Sequence, residues 1–316
     1  MRLSYLALLA SVSLTAHAAA SGAASAPQSA EPLFATPTRA DRIGRIVAPV
    51  YLNGLGPFRL VVDTGASHST LSPELTRKLG LDPATTERIL LNGVTGSAEV
   101  PVVDLSIIRA GDLVLRNVRA PVVYSSIMAG AEGILGVAGL RRERIYVDFE
   151  HDRVEITRAG SGPNLKPGPG LSSKLDLSGF FRVPGQFVPG GLLAVDARIG
   201  GVATRAIIDT GAERTLGNRA LQQALRRREK VRGSQSTTVY GTTESVSKGD
   251  LEVAPPMVLG PLKISEVAVV YGDFHIFKVW NLEERPAVLL GMDVLGAAGA
   301  LVIDFRSREL YLQSRS

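Results

Sequence analysis

Short apolar and alternating runs dominate this chain, and each predicts a strand rather than a helix. Ile46–Leu52 is β-rich, Asn53-Gly54 is a turn signal, and Phe58–Val62 is a second run that ends in Asp63. This predicts a hairpin that delivers an acid. Ser72 as N-cap, Pro73 at the first helical position and Glu74 in the first turn predict a short helix to Leu79. Leu90–Pro101 holds Asn92-Gly93-Val94-Thr95-Gly96 between apolar flanks, the pattern of a hairpin with a mobile tip. Val102–Ile108, Leu113–Val118 and Pro121–Val123 predict further strands. Gly133-Ile134-Leu135-Gly136 follows, and Ile145–Phe149 with Val154–Ile156 predicts a closing hairpin.

The second half repeats these landmarks in order. Leu192–Ile199, the Gly200-Gly201 turn and Ala206–Ile208 lead into Asp209, 146 positions after Asp63. Asn218–Lys230 predicts the matching helix, and Tyr240-Gly241-Thr242 the matching hairpin tip. Val288-Leu289-Leu290-Gly291 matches Gly133–Gly136, and Val302–Phe305 with Leu310–Leu312 matches the first closing hairpin. This much shared order predicts an internal duplication. The architecture expected is all-β and bilobal: two similar barrel-like lobes with short helices and a site between them.

Met1–Ala18 has the form of a secretory signal: Arg2, a nearly unbroken apolar run, then Ala16-His17-Ala18. An uncleaved anchor is the alternative. Ala-, Ser- and Pro-rich residues 19–43 read as a flexible lead-in or short propeptide. Residues 44–158 form the first unit, Gly/Pro-rich residues 159–188 a linker, and residues 189–316 the second unit. The expected location is exported, periplasmic or secreted, with no membrane contact after signal removal.

Composition narrows the chemistry. The 316 residues suffice for two compact units, and 45 % hydrophobic with 21 % charged residues is globular. No cysteine is present, so disulfides, thiolate metal sites and a cysteine nucleophile are excluded. The net charge of +5 comes with short arginine runs but no aromatic-rich basic motif, so no nucleic-acid partner is expected. His68, His151 and His275 show no ligand spacing, and no metal or cofactor is expected.

What remains is the duplicated Asp-Thr-Gly-Ala, Asp63–Ala66 and Asp209–Ala212. A carboxylate at the end of an apolar strand is costly to desolvate, so it is used or paired. At these residues the chain resembles the aspartic proteases, in particular two retropepsin-like units fused on the bilobal plan of the pepsin-like enzymes. The resemblance implies that Asp63 and Asp209 form a catalytic pair and that Thr64 and Thr210 bond across the lobes. It implies that Gly65 and Gly211 let the backbone approach the carboxylates. It places flaps at Gly93, Val94, Thr95 and at Tyr240, Gly241, Thr242, and gives Tyr240 a packing or supporting role. The function implied is aspartic endopeptidase, a hydrolase whose protein or peptide substrate binds as an extended strand to a monomeric pseudo-dimer. Ala66 and Ala212 offer no hydroxyl to their acids, so an optimum less acidic than that of digestive pepsin-like enzymes is expected. Departures exist. Glu213-Arg214 stands where the first unit has Ser67-His68, Met292-Asp293 faces Val137-Ala138, and the stretch from Asp209 to Leu216 is one residue shorter than Asp63 to Leu71. Asp148 and Asp304, each before Phe and a polar turn, read as structural.

Three other readings stay open. A non-catalytic peptide-binding module could keep this fold. A glycoside hydrolase would also use two acids, although one tryptophan and 5 % aromatics make a poor carbohydrate cleft. Each unit could also pair with its twin in a homodimer.

Overall fold

A computed structural model of the chain describes residues 44–124, 128, 130–151, 153–159, 177–228 and 233–314, together with the backbone of residues 5–6, 10–12 and 36–37. Most of residues 1–43, expected as signal and lead-in, and residues 160–176 of the expected linker lie outside the described residues. No helix among the described residues is long and apolar enough to cross a membrane.

Strands dominate, and both lobes repeat one plan. In the first, Val47–Leu52 and Leu55–Val62 form the hairpin that ends at Asp63. Asn53 and Gly54 turn it with φ of 52° and 82°, the two positive values a tight hairpin turn requires. Leu60, Val61 and Val62 are all buried. Their unbroken apolar run fits a strand covered on both faces rather than one with a wet face. Gly133–Leu135 lies parallel beside them, Ile134 opposite Val61, and antiparallel to Thr70–Leu71. The helix Pro73–Lys78 is capped by Ser72, whose hydroxyl accepts from the Leu75 N–H at 3.1 Å.

The second lobe builds the same unit from Leu192–Ile199, Val202–Ile208 and Ala287–Leu290, with Leu289 opposite Ile207. Its helix is Arg219–Arg226, shorter than Asn218–Lys230; Asn218 is the cap, accepting from the Leu221 N–H at 2.9 Å. Leu221, Gln222 and Leu225 are its buried positions. Arg227 and Arg228 form a turn, and residues 229–232 lie outside the described residues.

Each lobe carries a long hairpin, here called a flap: Arg88–Asn92 with Ser97–Ala110, and Gln235–Gly241 with Val246–Val253. The first differs from expectation. Ser97–Ala110 is one strand of 14 residues, not a hairpin arm followed by a separate strand, and its return partner Leu113–Pro121 is also unbroken. Pro101 does not end the strand because the ladder changes partner there: Pro101 lies opposite Arg88, Val102 opposite Pro121.

The closing hairpins join the lobes. Glu143–Asp148 pairs antiparallel with Ala300–Asp304, Tyr146 opposite Val302. Arg153–Arg158 and Glu309–Gln313 flank them. Asp148 and Asp304 hold the two turns, each accepting from two N–H groups of its own turn, and Asp304 also takes Arg144 from the other lobe at 2.7 Å. Phe180–Val188, expected within the linker, is instead a strand that extends this shared sheet beside Glu309–Gln313. Thr36–Pro37, expected within the flexible lead-in, pairs with Arg153–Val154.

Candidate active site

Asp63 and Asp209 stand at equivalent places, each following a fully buried strand. The Asp63 N–H donates to the Leu135 carbonyl at 3.0 Å, and the Asp209 N–H to the Leu290 carbonyl at 3.1 Å. After each acid the chain folds back over its own carboxyl. Asp63 Oδ1 accepts from the Gly65 and Ala66 N–H groups at 2.8 and 2.9 Å. Asp209 Oδ1 accepts from those of Gly211 and Ala212 at 2.9 and 3.1 Å. Both Oδ2 atoms are buried and receive no hydrogen-bond donor among the described residues.

The segment behind each loop is likewise symmetric. Val137 N–H donates to the Ala66 carbonyl and Met292 N–H to that of Ala212, both at 2.8 Å. Gly136 N–H donates to Ser69 Oγ and Gly291 N–H to Thr215 Oγ1, both at 3.2 Å. A Cβ on Gly136 would meet the His68 backbone and one on Gly291 the Arg214 backbone, at 2.5 and 2.6 Å. Glycine is therefore needed in both Leu-Gly pairs for close approach, not for an unusual φ.

These registers correct one sequence comparison. Thr70 lies opposite Ile134, and Leu216 opposite the equivalent Leu289. Thr70 and Leu216 are thus counterparts, each seven residues after its acid, and the two loops have equal length. The apparent deletion came from aligning leucine with leucine. Asp293, which has no acidic counterpart, braces only the second loop, accepting from Thr215 N–H at 3.0 Å and Thr215 Oγ1 at 2.7 Å.

Thr64 and Thr210 bring the two halves together. Thr64 Oγ1 donates to the Ile208 carbonyl at 2.8 Å and accepts the Thr210 N–H at 3.1 Å. Thr210 Oγ1 donates to the Val62 carbonyl at 2.6 Å and accepts the Thr64 N–H at 3.1 Å. Each hydroxyl therefore satisfies two buried backbone groups. Gly65 and Gly211 sit against the opposite acid: a Cβ on Gly65 would overlap the Asp209 carboxyl, and one on Gly211 that of Asp63.

Burial, and then the charge of Asp209, raises the Asp63 pKa well above the carboxylate range; burial also raises that of Asp209. The loop N–H groups and Arg45 pull both back down. Two carboxyls held this way do not both ionise readily. Arg45 is completely buried. Its influence was not legible: a charged residue before an apolar strand reads as surface.

The flap tips meet each other across the lobes. Thr95 Oγ1 donates to the Ser245 carbonyl at 2.7 Å, and Thr243 Oγ1 to that of Gly96 at 3.4 Å. Gly241 packs on Thr95, and Gly93 on Thr242 and Thr243. Val94 and Thr242 are fully buried, whereas Tyr240 is 38 % exposed, so its ring is not a core packing element. The first flap is also held by a helix, His275–Val279, that the sequence reading missed. His275 Nε2 lies 3.1 Å from Asn92 Oδ1, and Ile276 N–H donates to the Val94 carbonyl at 3.4 Å. The spacing of Phe274, Phe277 and Trp280, all buried, was the available signal. Among the described residues no group of three or more His, Asp or Glu side chains is placed to hold a metal ion.

The sequence family described as aspartyl protease matches residues 48–138 and 195–294, one match in each lobe. No curated protein sequence matches the chain.

Proposed function

The chain belongs to the aspartyl protease family, and we propose that it is an endopeptidase in which Asp63 and Asp209 together activate one water. The supporting observation is the two-fold carboxyl pair: each Oδ1 is fixed by two N–H groups of its own loop, and each Oδ2 has no donor among the described residues. The pair binds one proton. The ionised carboxyl takes a proton from the water as its oxygen attacks the scissile carbonyl carbon. The protonated carboxyl donates to the carbonyl oxygen, which becomes the second hydroxyl of a tetrahedral diol. Collapse returns a proton to the amide nitrogen as the C–N bond breaks, and yields an acid and an amine. The near-symmetry of the site lets either acid start in either role.

Substrate enters as an extended strand, bound through its main chain by the flaps. Neither Ala66 nor Ala212 contributes a side-chain hydroxyl, which favours a mildly acidic to neutral optimum. An exported location, periplasmic or secreted, suits such an optimum.

Cleavage of an unfolded protein from pH 3 to 8 by wild type, Asp63→Asn and Asp209→Asn tests the proposal. One shared site requires that either substitution abolish cutting. If each variant kept about half the activity, the lobes would act as separate sites in a homodimer. A wild type that never cuts, even with its amino-terminal segment removed, would favour the peptide-binding module.

A further inference from the structure

The lobe junction holds a cavity of about 450 Å³, whose lining among the described residues is Arg142, Arg158, Ala159 and Arg306. These residues are separate from the acid loops and the flaps. Arg142 ends a short 3-10 helix, Leu140–Arg142, and Arg158 ends the strand Arg153–Arg158, both in the first lobe. Arg306 sits in the turn after Ala300–Asp304, in the second. The backbone brings the three together. Arg158 lies opposite Glu143, and the Arg142 carbonyl accepts the Ala159 N–H at 2.7 Å. The Glu143 carbonyl accepts the Phe305 N–H from the other lobe at 3.2 Å. Arg306 N–H donates to Asp304 Oδ1 at 3.0 Å, and Arg306 Nη1 to the Ala159 carbonyl at 3.1 Å. Each arginine thus stands at, or next to, a fixed backbone contact, so the fold assembles the cluster before any ligand arrives.

Guanidinium groups gathered round one cavity repel each other unless an anion offsets them. The neighbouring acids do so only in part. Asp304 is taken by Arg144, Glu155 by Arg153 and Glu309 by Arg182. Glu143 is the acid on which the charge of Arg158 acts. Setting Glu143 against Arg158 leaves the charges of Arg142 and Arg306. Arg141 and Arg308, on the same two segments, lie over the Phe187 ring at 5.3 and 5.5 Å and add to the positive field. Residues 160–176, which follow Ala159, contain Lys166, Lys174 and one acid, Asp176, so their sequence brings no surplus of negative charge. A phosphate monoester carries about −1.5 to −2 charges at pH 7, enough to match the surplus, whereas a carboxylate carries one. Its oxygens also suit the paired N–H groups of the guanidinium fork. The cavity falls within the ~300–1,000 Å³ range of small-molecule sites, with room for more than a phosphate group. We propose that Arg142, Arg158 and Arg306 form a binding site for a small organic phosphate monoester, which ties the two lobes together when bound. The site goes beyond the protease reading and does not depend on it.

Isothermal titration calorimetry of the full chain with glycerol 3-phosphate tests this, with inorganic phosphate, acetate and phosphatidylglycerol vesicles as comparison probes. Glycerol 3-phosphate should bind with a Kd of about 1 mM or below, and acetate about ten-fold more weakly or worse. Arg142→Gln and Arg306→Gln should each weaken binding about ten-fold or more. Arg142 is exposed, so its variant should keep the fold. Arg285→Gln removes the same charge from an exposed position elsewhere in the second lobe and should change the Kd by less than about two-fold. Glycerol 3-phosphate should also slow amide exchange in both lobes, over residues 140–144 and 157–159 and over residues 304–307. No binding at about ten times the expected Kd overturns the proposal. So does equal weakening by Arg285→Gln, which would mean attraction to net charge alone. Slowed exchange in one lobe only refutes the tie between lobes, and inorganic phosphate binding as tightly refutes the organic body. Capture by the vesicles without binding of glycerol 3-phosphate would make the cluster a contact for an anionic membrane and overturn the small-molecule site.

Discussion

Replacing Thr210 by valine removes one hydroxyl and almost nothing of the side chain's shape. That hydroxyl donates to the Val62 carbonyl and accepts the Thr64 N–H, both in the opposite lobe and both buried. Valine leaves these two backbone groups without partners in a site closed to water. Each orphaned group costs about 1–3 kcal/mol, so the substitution should cost about 2–6 kcal/mol. A whole domain is stable by only about 5–15 kcal/mol, so the loss is large. Thr210→Ser keeps the hydroxyl and removes one methyl, about 0.8 kcal/mol by transfer. Urea unfolding followed through Trp280, which is buried at 3 % exposure, separates the two. Thr64→Val should match Thr210→Val, because it orphans the equivalent Ile208 carbonyl and Thr210 N–H. A Thr210→Val protein within about 0.5 kcal/mol of wild type, or a serine variant as costly as the valine one, would refute this reasoning.

The raised pKa values of the acid pair predict a pH dependence of a particular sign. Below the unfolded value of about 4 both states hold the protons and stability is full. As pH rises through the folded values, the unfolded chain has already released protons that the native state retains, and stability falls. An asparagine at this position cannot titrate, so Asp63→Asn should gain on wild type from pH 4 to pH 8, by about 1.4 kcal/mol per unit of pKa shift removed; a flat difference across urea titrations at pH 4, 6 and 8 would contradict this. Gly211→Ala should cost about 1–3 kcal/mol through overpacking and abolish peptide cleavage, because its methyl would occupy the position of the Asp63 carboxyl. Gly211 has no positive φ, so the effect is steric; a Gly211→Ala protein that melts and cuts like wild type would show that the opposing loops can separate freely.

The acid loops were legible because several constraints coincide within a few residues. The strand before each acid is buried on both faces and must be continuously apolar. Thr64 and Thr210 must each supply a hydroxyl. The following glycines must admit the opposite carboxyl. These contacts also reach the other lobe, but each is marked by a residue type in the same few positions around its acid, and each is written twice. Arg45 and the helix at His275 were less legible because neither belongs to a repeated motif, while each acts on the other lobe: Arg45 acts on both acids, and His275 holds the first flap. A one-dimensional pattern shows neither partner.

Phe180–Val188 was misread for a different reason. Pro184 and Gly185 interrupt its period, and proline in a strand normally demotes it to an edge or a loop. Yet the ladder changes partner there. Phe180–Pro184 pairs with Glu309–Gln313 in the sheet shared by the lobes, and Gly185–Val188 pairs with Leu192–Val195 in the second lobe. The same happens at Pro101, where the strand passes from the first flap to the lobe body. Proline lacks an N–H for a ladder, and a partner switch is a place where one ladder has ended and the next has not yet claimed a donor. Gly185 adds the complementary allowance, since a Cβ there would press on the Ala194 carbonyl at 2.8 Å. In a fold whose long strands serve two sheets in succession, proline therefore marks the crossing between ladders, and a linker inferred from proline and glycine alone runs too far into the strand that follows.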